Sequence, residues 1–110
     1  MATTMEQKTE LWIGLVHLKP FKKKAFDGMA GVYTNIITWA YDSISFLKKA
    51  ETIAATMDLY VVDTEGEEPL SARFGDFIPN EELEDMRSRA EHNPNAIVYG
   101  TFHRYLHDDA

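Results

Sequence analysis

The run from Leu11 to Leu18, Leu-Trp-Ile-Gly-Leu-Val-His-Leu, is apolar on both of its alternating faces. A strand with one wet side alternates apolar and polar residues, so this run predicts a strand covered on two sides. A fold that holds it needs material above and below its sheet. Pro20 ends the run. Residues 20–31 read as a loop or short helical turn closed by Gly28 and Gly31. Val32 to Ala40 is rich in β-branched and aromatic residues and predicts a second strand.

A helix follows. Asp42 or Ser43 can serve as its N-cap by accepting a bond from an otherwise unpaired amide. Ile44, Leu47, Ala50, Ala54 and Met57 recur at helical spacing, broadened by Phe46 and Ile53, with Lys48, Lys49 and Glu51 on the solvent side. Leu59 to Val62 reads as a third strand. Thr64-Glu65-Gly66-Glu67 is turn-like and leads to an expected short fourth strand near Leu70–Phe74. Pro79 and Asn80 start a second helix to about His92, with a narrow apolar stripe of Leu83, Met86 and Ala90. Glu81, Glu82, Glu84 and Asp85 occupy its first turns, where the helix dipole favours anions. Asn93-Pro94-Asn95 breaks it, and Ala96–Leu106 is the expected last strand.

Strand, helix, strand, strand, helix, strand from residue 32 onward predicts an α+β fold. It is the ferredoxin-like, split βαβ sandwich with an extra N-terminal strand, a sheet of four or five strands and two helices. Residues 1–10 are expected to form a flexible tail and 11–110 a single domain, with no internal repeat or linker. Both helices are expected on one sheet face. Trp12, Tyr33, Trp39 and Tyr60 on the other face would call for a second subunit, so a homodimer is expected.

Charge is laid out unevenly. Residues 1–57 hold all seven lysines against five acids, whereas residues 58–110 hold four arginines against thirteen acids. The net charge is −7, which disfavours nucleic-acid phosphates, whose binding needs a basic face. Apolar residues at 45% are too many for a disordered chain. No apolar run reaches the roughly 18–20 residues that cross a bilayer. There is no cysteine, which excludes disulfides, thiolate zinc sites and cysteine nucleophiles and fits a cytoplasmic protein.

Ten acids against the single base Arg73 within residues 58–85 make the first candidate site. Asp63, Glu65, Glu67, Glu68, Asp76, Glu81, Glu82 and Asp85 are the residues expected to dock a basic protein, with steering that weakens in salt. Toxin immunity proteins and DNA mimics are small acidic proteins of this kind. The plainer alternative is a solvated face. The second candidate is a pocket on the sheet, with His17, Asn35, Trp39, Tyr60 and His103 as its residues. A buried amide among aromatics can orient a ligand, as in dimeric α+β-barrel enzymes. His103 and His107 stand some 13 Å apart if both lie on one strand, too far to share a metal ion. No nucleophile elbow, phosphate loop or calcium loop occurs, so neither a cofactor nor a catalytic residue is assigned. The expectation is an acidic, non-catalytic, inhibitor- or immunity-type binding protein. The alternative is a small dimeric enzyme or ligand-binding protein.

Overall fold

The structure, a computed structural model, describes residues 8–21 and 30–105. The fold is α+β. In chain order it runs β1 (Glu10–Pro20), β2 (Gly31–Ala40), α1 (Ser43–Thr56), β3 (Leu59–Pro69), α2 (Leu70–Phe74), α3 (Glu81–Glu91), β4 (Ile97–Tyr99) and β5 (His103–Tyr105). Five strands form one sheet in the order β3-β1-β2-β4, with β5 also on β2. Every pairing is antiparallel.

β1 lies at the centre, which accounts for its two apolar faces. Directly paired residues point to the same side of a sheet, so the register sorts the side chains. Trp12, Val16 and Leu18 share a face with Val32, Ile36 and Ala40. That face packs on Phe46, Ala50 and Ala54 of α1, with Leu59 of β3. Leu11 and Ile13 share the opposite face with Trp39 and Ile37, and there they meet Leu70 of α2 and Leu83, Met86 and Ala90 of α3. Three layers result, with α1 on one side and α2 and α3 on the other.

This corrects the expectation that both helices share one face. Trp12 points toward α1 and Trp39 toward α3, so the two tryptophans do not form one exposed sheet surface. The second cover for β1 comes from its own chain. β2 and β3 both run antiparallel to β1, so they are parallel to each other, and α1 crosses over β1 to connect them.

Local chemistry explains most boundaries. The Asp42 carboxylate accepts from Ser45 N at 2.7 Å while Ser45 Oγ accepts from Asp42 N at 3.1 Å, so two orphan amides are satisfied at the start of α1. Asn80 Oδ1 accepts from Leu83 N at 2.8 Å and starts α3 in the same way. The stripe of α1 is set differently from the expected one. Phe46 is fully buried, whereas Ile44 is 65% exposed.

Three expected elements are different in the structure. Residues 64–67 are not a turn but belong to β3, which continues to Pro69. Residues 70–74 are a short helix rather than a strand. The last strand is two three-residue strands, β4 and β5, interrupted at residues 100–102. β1 begins at Glu10, inside the expected tail; residues 1–7 of that tail, the glycine of the first loop at Gly28, and Leu106 and His107 lie outside the described residues. Among the described residues no helix is long and apolar enough to cross a membrane.

Candidate docking surface

Among the described residues, α2 and α3 cover only one half of their face of the sheet. Its rows run Leu11–Trp39, Ile13–Ile37, Leu15–Asn35 and His17–Tyr33 along the β1–β2 ladder. The first two rows lie beneath the helices. Leu15, Asn35, His17 and Tyr33 are half-buried. From Tyr33 to Trp39 is six residues of strand, or about 20 Å, so the open rows and the covered rows are different places.

Three aromatic rings floor the open half. The His17 imidazole stacks on Tyr33 with ring centroids 4.3 Å apart and planes 11° from parallel. Tyr105 of β5 lies against both, at 5.6 Å from His17 and 5.8 Å from Tyr33. Its hydroxyl shares a hydrogen bond with His17 Nε2. The ring reaches that position because residue 31 is a glycine. A Cβ added there would lie 2.5 Å from the Tyr105 hydroxyl and 2.8 Å from the Leu18 carbonyl oxygen. His103 stands opposite Tyr33 on β5 and is exposed.

β3 brings its acids to the side of this floor. Asp63 pairs with His17 and Glu65 with Leu15, so both lie on the open face. Both are exposed, and among the described residues neither makes an ion pair or side-chain hydrogen bond. Tyr60, opposite Lys19, stands farther along β3 and packs its ring on Phe21 at 5.3 Å.

Four of the remaining six acids have other commitments. Glu68 takes the Arg73 guanidinium at 2.8 Å. Glu67 accepts from the Thr64 hydroxyl at 3.0 Å. Asp85 pairs with Arg89 at 2.8 Å along α3. Glu82 accepts from both the hydroxyl and the backbone N–H of Thr101. Those two bonds, the hydroxyl first, hold its carboxyl below the ordinary glutamate value despite slight desolvation, and His103 adds a small pull in the same direction. Asp76 is exposed in the loop after α2, and Glu81 is exposed in the first turn of α3.

The eight acids named from sequence are therefore not one surface in equal standing. Asp63 and Glu65 are the pair that faces the open half without a described counter-charge. The five pocket residues also separate. His17, Asn35 and His103 border the open half, Tyr60 lies toward Phe21, and Trp39 is under α3 with its indole N–H donating to Ala90 O at 2.8 Å and Asn93 O at 3.1 Å. Sequence reasoning missed Tyr33 as a stacking partner and Tyr105 altogether. The cue for Tyr105 was Gly31, a residue with room above it, but the partner across the sheet was not legible. Among the described residues no three histidine or acidic side chains gather to hold a metal ion. Comparisons of the chain with protein-family models, curated proteins and solved structures find no match.

Proposed function

We propose that this protein is a small acidic binding protein without catalysis, of the inhibitor or immunity type, that docks a basic protein partner on the open half of its sheet. The observation that carries this reading is the position of Asp63 and Glu65, exposed and without a described ion pair beside the floor of His17, Tyr33 and Tyr105. Carboxylates attract lysine and arginine and quicken encounter, and aromatic faces take the cation once it is partly desolvated. Glu81 and Asp76 add long-range attraction, while the acids already bonded within the chain add less. The β2–α1–β3 unit, with β1 between its strands, supports a split βαβ reading of the scaffold. A cytoplasmic location is part of the same reading.

The test compares the parent protein with Asp63→Asn/Glu65→Gln as bait in cell lysate at about 50 mM and about 300 mM salt, a span that strongly screens surface charge. Support is a basic protein held by the parent at low salt, shed at high salt, and lost by the double variant. A partner held equally by the double variant, or no partner at either salt, refutes the reading.

One observation favours a second reading, a small-ligand pocket in the same open half. The His17–Tyr105 hydrogen bond fixes an imidazole and a phenol beside Asn35, whose side chain is half-buried and whose carbonyl accepts from Gly100 N at 3.0 Å. A second copy of the chain covering this half would form the homodimer. The pocket reading expects small-molecule binding that is lost in His17→Ala and kept in Asp63→Asn/Glu65→Gln. The docking reading expects the double variant to be the damaging one.

A further inference from the structure

A groove of about 400 Å3 opens at the far end of the same sheet face, between β1, β2 and the segment that joins α2 to α3. The volume falls in the range of small-ligand sites. Leu11, Trp39, Leu70 and Ile78 supply its apolar surface, and Glu10, Asp76, Arg87 and Glu91 its charged rim. Among the described residues, the one cation on that rim, Arg87, is already occupied. Arg87 Nη1 lies 2.6 Å from Glu91, and its Nε donates to Glu84 at 3.2 Å. Two carboxylates are left over. Among the described residues, Glu10 accepts only a long 3.4 Å bond from the Ser71 hydroxyl, and Asp76 has no ion pair or side-chain hydrogen bond. Gly75, at φ 62°, has no atom within 4 Å of where a Cβ would sit, which leaves one wall open.

An apolar floor with surplus negative charge on its rim fits one chemical class. We infer that the groove binds a small organic cation, an ammonium or guanidinium head paired with Glu10 and Asp76 and an apolar stem laid on Leu11, Leu70 and the Trp39 ring. An anionic ligand would meet Glu10, Asp76 and Glu91 with no free base among the described lining residues to answer it. A purely apolar ligand would strand both carboxylates against it, which costs desolvation with no compensating bond. The groove lies about 20 Å along the strands from the docking floor, and the inference does not need that docking, although Asp76 also adds long-range charge to it.

The indole N–H of Trp39 is a built-in reporter, held by two carbonyls at the groove wall. Its proton resonance is distinguished from that of Trp12 by the Trp12→Phe variant. Agmatine, with a guanidinium and an ammonium on a butyl stem, is titrated into the whole chain, alongside 1-pentanol, glutarate and an end-blocked arginine peptide. The expected result is a saturable shift of the Trp39 signal with agmatine and none with glutarate or pentanol at equal concentration. Glu10→Gln/Asp76→Asn should raise the dissociation constant at least about tenfold, the loss of one charge-assisted bond, while Asp63→Asn leaves it unchanged. Saturation by the peptide below the agmatine concentration supports the same chemistry and makes a protein side chain the natural source. Saturation by agmatine first makes it a free amine. Equal shifts with pentanol, no loss in the double variant, or no saturable shift with any cation overturns the inference.

Discussion

Replacing Gly14 with alanine tests a close approach between α1 and the sheet. A Cβ on residue 14 would sit 2.8 Å from two carbons of the Phe46 ring and 3.0 Å from Glu67 Cβ. Phe46 is fully buried, so its ring has little room to retreat. Forcing an extra carbon into such a contact costs about 1–3 kcal/mol. Alanine returns about 0.5–1 kcal/mol by having less backbone freedom to lose than glycine. The net expectation is a loss of about 1–2 kcal/mol. Urea unfolding followed by circular dichroism should show the midpoint falling by about 0.5–1 M at unchanged slope, for a mid-range slope of about 2 kcal/mol/M. Shrinking the ring supplies the control. Phe46→Leu alone is destabilising, but Gly14→Ala should cost less in that background, giving a coupling of about 1 kcal/mol in the double-mutant cycle. An unchanged midpoint for Gly14→Ala, or strict additivity with Phe46→Leu, refutes the packing argument.

Three further outcomes are expected. Asp42→Ala removes the side-chain half of the α1 capping box and should lower stability by about 1 kcal/mol, with faster amide exchange confined to the first turn of the helix. Trp39→Phe removes the indole donor from Ala90 O and Asn93 O, which keep backbone N–H donors, and should cost about 0.5–1.5 kcal/mol, loosening the C-terminal turn of α3 first, as hydrogen exchange would show. Glu82 has a carboxyl pKa lowered from 4.5, so its hold on Thr101 is complete above that value. It fades as pH falls through the lowered folded value. The Thr101 amide resonance should follow that titration, and Glu82→Gln should abolish the pH response; an unchanged response in the variant would assign it to another group.

How far these features could be read from sequence depended on what each residue faces. α3 was legible in detail because Leu83, Met86 and Ala90 are its only apolar positions and all three are buried. α1 was legible as a helix capped at Asp42 or Ser43, of which Asp42 is the cap, but its stripe was set by counting Ile44, when Phe46 buries the larger side chain one position class away. Both choices share Ala50, Ala54 and Met57, so spacing alone did not separate them. β3 past Val62 was lost because an edge strand needs apolar residues only where a neighbour covers it. Asp63, Glu65 and Gly66 look like a turn in one dimension and become a strand through pairing with β1. Residues 70–74 are too few to display a helical period.

The site was less visible than the fold for the same reason. Charge counting found the acidic half of the chain but not which carboxylates are already engaged, since the Arg73–Glu68 and Thr101–Glu82 contacts depend on the folded path. The two-sided apolarity of β1 did announce a cover on each face. It could not say that the second cover was α2 and α3 rather than a second molecule.

The edge formed by β3 has a consequence for how this molecule meets others. Its ladder to β1 slips twice, between Ile13 and Leu15 and between His17 and Leu18. Gly66 sits there at φ 63° with its carbonyl taken by the Arg73 side chain. A kinked, acid-studded rim is a poor template for another strand. Like charge along that rim sets copies of the molecule against pairing edge to edge. Straightening that rim, by removing the bulges and the acids together, would take away what keeps another strand from pairing there.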